Sequence, residues 1–316
     1  MPSRNNIDTP ILHHYDFSPF AEKIRLALGL KNLHWRSVIA PSVMPKLELV
    51  ALTGGYRNIP VLQFGADIYC DTRTIMRELD RRYPSPPLVT RDTRGFATAI
   101  EAWAERDLFW SVARYVSGVN ATTVDHQLHI DRAALRGKPT PSTTRLQEAA
   151  QRNQGLVRAH LPTVEQLLAD GRRWLLSNQP SQADLSLYHC LWFLSVFKID
   201  CAYELAPYSL TRAWMARVAK IGHGTHEAFS AQESLQLAQR AAPQPLRQSI
   251  VDDSLPSLGS RVAVRPNGFV TAAVEGELVY ADRDDVSLRR TAPNLGEVMV
   301  HLPRIGYTML SKGHDD

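Results

Sequence analysis

Three short stretches carry residue types and spacings that could do chemistry. The first is "HHYDFSPFAEKIRLAL", His13 to Leu28, in which an apolar strand runs into Ser18-Pro19 and then directly into an amphipathic helix. Proline has a fixed φ and no backbone N–H, so it fits the first helical position, and serine just before it is a favoured cap. The same arrangement aims a hydroxyl and the positive end of a helix at one point, which suits an anion or a thiolate. The second stretch is "RNIPVL", with Pro60 leading into a strand, and the third is "CDTRTI", with Asp71-Thr72 opening a helix. Each also fits a purely architectural part: a cap, an edge-strand proline and a second cap.

These stretches need elements to position them. Up to about residue 83 the chain alternates strand and helix. "PILHHYDF" reads as a strand and Pro19–Leu30 as a helix with Phe20, Ile24, Ala27 and Leu28 on one face. "HWRSVIA" is a second strand. "LELVALTGG" is a short helix stopped by glycine, and "IPVLQFG" with "DIYCD" makes two strands around a tight turn. A helix from Thr72 to Tyr83 follows. The order predicts a small α/β layer structure with a mixed sheet. "RRYPSPPLV" reads as a linker.

Beyond it the period becomes helical. "FATAIEAWAERDLFWSVARYV" predicts one long helix, and "LQEAAQRNQGLVRAHLPTVEQLLAD" a second that Pro162 kinks or divides. "ADLSLYHCLWFLSVF" is apolar on nearly all sides, as a buried central helix would be. Two further helices end near Ala242. After Pro243 and Pro245 the period falls to two in "RVAVRP", "GELVYAD", "VSLRR" and "GEVMVHLP". This tail predicts a small β unit, marginal alone, leaning on the helical domain.

Taken together, the order of the four motifs "FSPFAEKIRLAL", "IPVL", "DTRTI" and "WLLSNQPSQADLSLYHCLWF" resembles the glutathione transferase superfamily. In the last of them Ser181 and Asp184 have the spacing of a capping box. The resemblance covers about residues 10 to 240. It implies a thioredoxin-like α/β domain over 9–88, an all-α helical bundle domain over 94–242 and, outside the common pattern, a small all-β C-terminal unit over 246–312. It further implies a transferase that activates the thiol of glutathione, its co-substrate, for attack on a small electrophile held between the domains. Ser18 takes the catalytic place; Phe20, Ile59, Pro60, Asp71 and Thr72 take ligand-binding places. A cis bond at Ile59–Pro60 would turn the Ile59 backbone toward a peptide lying along the strand edge. Thr72 suits the γ-glutamyl carboxylate and Asp71 the γ-glutamyl ammonium, while Arg73 beside them faces solvent. Trp103, Arg106 and Trp110 are candidates for the electrophile's side. The resemblance also implies a homodimer.

Two departures from the family's pattern matter. Ser18 stands where some members have a cysteine, so it can donate a hydrogen bond to a thiolate but cannot form a mixed disulfide. Asp71-Thr72 stands for the usual Glu-Ser. A non-catalytic binding or scaffold protein of the same fold is the alternative. A serine hydrolase built on Ser18, His13, His14 and Asp16 lacks a G-x-S-x-G elbow, and neighbours on one strand do not form a triad.

Composition narrows the field. A hydrophobic fraction of 44% in 316 residues is that of a globular chain with ample core. The net charge of +4 is scattered rather than blocked, which argues against a nucleic-acid partner. No apolar run approaches the roughly 20 residues that span a membrane, and the polar start "MPSRNNIDTP" is unlike a signal peptide. The 3 cysteines form no CxxC and the 11 histidines no ligand-spaced clusters. A cytoplasmic protein without a metal is expected.

Overall fold

The computed structural model describes residues 7–249, 254–270 and 272–311. The first domain runs β1 (Ile11–His14), α1 (Pro19–Leu30), β2 (His34–Ile39), α2 (Leu47–Thr53), β3 (Val61–Phe64), β4 (Asp67–Cys70) and α3 (Thr72–Arg82). Local chemistry sets these boundaries. Ser18 caps α1 by accepting the Ala21 amide at 3.2 Å, with Pro19 opening the helix. Gly54 ends α2 in the left-handed conformation, at φ +76°.

The helical part comprises α4 (Arg94–Trp103), a π-helical turn over Ala104–Leu108, α5 (Phe109–Val119), α6 (His126–Leu135), α7 (Thr143–Leu167), α8 (Gln182–Trp192) and α9 (Ser209–Ala219). The single long helix expected from the sequence is thus α4 and α5 joined through the π turn. Pro162 does not divide α7. It sits on the exposed face, and Arg158, whose carbonyl loses its helical partner to the proline, is exposed as well. The capping box on α8 is present: Asp184 accepts the Ser181 amide at 2.9 Å, and also takes the Leu175 amide and the Trp214 indole N–H, each at 2.9 Å.

The chain then returns to the first domain through β5 (Thr225–Ala228) and α10 (Ala231–Arg240), and ends in β6 (Arg261–Pro266), β7 (Val274–Ala281), β8 (Asp285–Ala292), β9 (Gly296–Pro303) and β10 (Tyr307–Ser311). All ten strands form one sheet in the order β10-β6-β7-β8-β9-β4-β3-β1-β2-β5. The joins to the late segments are parallel: β5 to β2, and β9 to β4 with Ile68 opposite Val300. The tail, expected from its small size to lean on the helical domain, touches that domain at Val270, whose amide donates to the Leu135 carbonyl. It leans mainly on the first domain's sheet. The reason is apolar complementarity. Leu49, Leu52, Val61, Ile68 and Cys70 share one core with Val262, Leu278, Leu288, Val298 and Val300.

Polar groups lock the same seam. Arg77 on α3 grips Asp285 with two hydrogen bonds, at 2.7 and 2.5 Å, and Thr74 donates to the same carboxylate at 2.7 Å. His301 bridges Ser287 at 2.8 Å and Asp67 at 3.1 Å.

Candidate functional site

Sheet register explains why three distant motifs meet. His13 on β1 lies opposite Val61 on β3, and Val61 lies opposite Cys70 on β4. The segment after β1, the segment before β3 and the segment after β4 therefore emerge at one end of the sheet. Those segments carry Ser18, Ile59-Pro60 and Asp71-Thr72. Because β9 is parallel to β4, the residues after β9 are delivered to the same end.

The Ile59–Pro60 bond is cis. Pro60 is buried and Ile59 half-buried, and among the described residues the Ile59 amide and carbonyl take no hydrogen bond. An unpaired backbone edge of this kind can pair with an extended peptide. Asp71 is held at φ +74°, a conformation uncommon outside glycine and a frequent mark of functional strain. Its Oδ1 accepts the Arg73 amide at 3.0 Å, capping α3, and its Oδ2 accepts the Tyr307 hydroxyl at 3.0 Å. Burial pushes the Asp71 carboxyl up from its ordinary pKa, against the pull of these donors. Thr72, also buried, starts the helix beside it.

A cationic group stands between α1 and the Ile59 edge. Lys46 donates to the Arg57 carbonyl at 3.2 Å and lies 5.6 Å from the centre of the Tyr15 ring. Arg132 on α6 donates to the Tyr15 hydroxyl at 2.9 Å, and Asp131 pairs with both Arg57 and Arg132. Burial and the neighbouring Arg132 push the Lys46 ammonium down to about 7, with Asp131 opposing and Arg57 adding to the shift. Arg57 and Arg132 share the one Asp131 carboxylate, with Lys46 beside them, so the group favours an incoming anion.

Behind α1 lies a buried charge network. Lys23 donates to Glu101 and Glu105 at 2.6 Å each, and Glu105 also meets His189 at 3.2 Å. Burial opposes the Lys23 charge, but the two carboxylates outweigh it and hold the ammonium above its ordinary pKa. Arg73 reaches this network, 3.7 Å from Glu101, rather than facing solvent as expected. Aromatic rings pave the seam between the domains: Phe20 packs on Phe109 and on His189, each 4.9 Å away, and Phe17 on Phe197 at 5.8 Å. The Ser18 side chain is buried, 2% exposed.

The tryptophans and arginine singled out along this helix are less central. Trp103 packs on His160, Trp110 lies under the Arg136 guanidinium, and Arg106 is exposed. Glu101 and Glu105 from the same stretch, four residues apart and so on one helix face, point inward to Lys23 instead. Sequence reading also passed over Lys46, Arg132 and Tyr307. Their single positions carry no local pattern, and α6 itself was not anticipated.

The glutathione S-transferase N-terminal domain family model matches residues 12–87, and the C-terminal domain model matches residues 147–217. A solved GST-like protein from Pseudomonas syringae is 34% identical, with a TM-score of 0.80 over 96% of this chain and 100% of that one. The chain belongs to the glutathione S-transferase superfamily. FtsZ-localized protein A of Caulobacter vibrioides is 29% identical over 188 residues, which are 55% of this chain and 72% of that protein. A glutathione S-transferase from Rhodospirillum rubrum shares the fold, at 21% identity and a TM-score of 0.50 over 76% of this chain and 96% of that one. Within this superfamily member, the C-terminal strands continue the sheet that carries the candidate site. Among the described residues no group of side chains could hold a metal ion, and no helix is long and apolar enough to cross a membrane.

Proposed function

We propose that the protein binds glutathione at this end of the sheet and activates its thiol for attack on a small electrophile. The unpaired backbone at the cis Ile59–Pro60 bond carries the reading, since it offers a strand edge between the Ser18 hydroxyl and the Asp71 carboxylate. The peptide pairs with Ile59, its ammonium meets Asp71, its γ-glutamyl carboxylate meets the start of α3 at Thr72, and its glycyl carboxylate meets Lys46 and Arg57. Phe20 shapes the side facing the helical domain. Ser18 keeps its oxygen on the Ala21 amide and donates its proton to the thiolate. Lowering a thiol pKa by two units takes about 2.7 kcal/mol. A hydrogen bond to a charged group supplies about 1.5–3 kcal/mol, and a helix N-terminus about 0.3–1 kcal/mol. The electrophile lies against Phe17 and Phe197. A homodimer and a cytoplasmic location complete the proposal; the three cysteines are free and buried, as a reducing compartment allows.

The second reading is a binding or scaffold protein without turnover. The relative named for its localisation with FtsZ favours it, as does the near-complete burial of Ser18. Calorimetry with glutathione, followed by turnover of a panel of electrophiles, separates the two. Binding with no turnover selects the scaffold. Binding that survives Asp71→Asn unchanged refutes the placement of the peptide.

A further inference from the structure

The C-terminal strands reach the candidate site itself. The turn between β9 and β10 is tied to α3 by Arg73, which donates to the Ile305 carbonyl at 3.4 Å, and Tyr307 follows with its hydroxyl on Asp71 Oδ2. Tyr56, buried after α2, belongs to the same apolar cluster as Ile59 and Tyr307. The same extension touches the site's other walls. Ala272 and Ala273 lie against Gly55 after α2, and Val270 donates its amide to the Leu135 carbonyl at the end of α6, at 3.0 Å. Asp71 caps α3 at an uncommon φ of +74°, with one carboxylate oxygen on the Arg73 amide and the other on the Tyr307 hydroxyl.

We propose that Tyr307 is a positioning residue: it aims the Asp71 carboxylate at the ammonium of a γ-glutamyl peptide, which makes the C-terminal extension part of the ligand site. This rests on the glutathione reading above. Each carboxylate oxygen has two acceptor directions, so Oδ2 holds the Tyr307 hydroxyl and a ligand ammonium together. Charged and titratable groups face Asp71 from every side: Arg73 and Arg77 on α3, Glu105 on the π turn, Tyr56 after α2, Cys70 at the end of β4, and Tyr307 on β10. Burial and Glu105 favour the protonated acid, while the Arg73 amide and charge and the Tyr307 hydroxyl favour the carboxylate. Taking away the hydroxyl raises the pH at which Asp71 loses its charge.

The test compares the full-length parent with Tyr307→Phe, by calorimetry from pH 5 to 8, with two probes. One is glutathione; the other is glutaryl-cysteinylglycine, which lacks the α-amino group. The variant is expected to bind glutathione about tenfold more weakly, the worth of one hydrogen bond to a charged group. Its acid-side loss of affinity moves up by about one pH unit, and binding of the glutaryl probe is unchanged. Equal weakening of both probes at every pH overturns the proposal, because a structural strut would act that way. So does an unchanged glutathione affinity. A parent that binds neither probe defeats the glutathione reading and this proposal with it. A parent that binds both equally defeats only the role given to the Asp71–Tyr307 pair. The carbon-13 titration of the Asp71 carboxyl, without ligand, provides a second readout. A midpoint that does not rise in Tyr307→Phe overturns the proposal even if affinity falls.

Discussion

Replacing Ser18 with alanine separates its two jobs. The side chain caps α1 through the Ala21 amide, and removing an N-cap costs about 1 kcal/mol of stability. The same change deletes a side-chain donor placed at the start of α1. A hydrogen bond to a charged sulfur is worth about 1.5–3 kcal/mol, which converts to a rise of about 1–2 units in the pKa of the bound thiol. Glutathione affinity at neutral pH should stay nearly intact, because the Ile59 edge, Lys46, Arg57 and Asp71 still hold the peptide. The assay is the thiolate absorbance of the glutathione complex against pH, for parent and Ser18→Ala. A parallel urea titration reads the cap. Overlapping thiolate curves, with the loss of stability still present, would leave Ser18 as a cap alone and refute the activation argument.

Two other outcomes follow from the interior. Burial holds His13 down to about 4 and His14 to about 3, from 6.5, so the unfolded chain takes up their protons first as the pH falls. Their contribution is complete above pH 6.5 and is lost toward pH 4, at about 1.4 kcal/mol per pH unit for each histidine; the urea midpoint of His13→Asn should fall less steeply with acid than the parent's. Asp285→Ala strips Arg77 and Thr74 of their shared partner and should lower stability by about 2–3 kcal/mol, short of a fully buried pair because the Arg77 side chain is 30% exposed. Chemical denaturation checks it.

Much of the first domain was legible because its signals are local. Ser18-Pro19 and the Gly54 stop act within a turn of chain, as does the Ser181–Asp184 box in the helical domain, and each forms the element its pattern implied. The cis Ile59–Pro60 bond and the Asp71 cap fell where the motifs suggested. What the pattern could not give is who pairs with whom. The period-two tail shows that strands exist, but nothing in β9 marks β4 as its neighbour. Tyr307 therefore read as one residue of a final strand. Glu105 was hidden for a different reason: a charged residue in a helical pattern reads as solvent-facing, and nothing local marks Lys23, 82 residues earlier, as its partner. β5 is four mostly exposed residues, too short for alternation to show.

The parallel join of β4 to β9 also bears on how the chain comes off the ribosome. Tyr69 pairs with His301, and on the opposite flank Trp35 pairs with His226. The early strands thus emerge with both outer edges bare and wait for most of the remaining chain before either is covered. Contacts so distant in sequence form slowly, and bare strand edges invite pairing with other nascent chains. Synthesis halted between α10 and β6 would release a protein whose helical domain can pack but whose β4 flank stays open. Such a product should need chaperones during its production far more than the finished protein does.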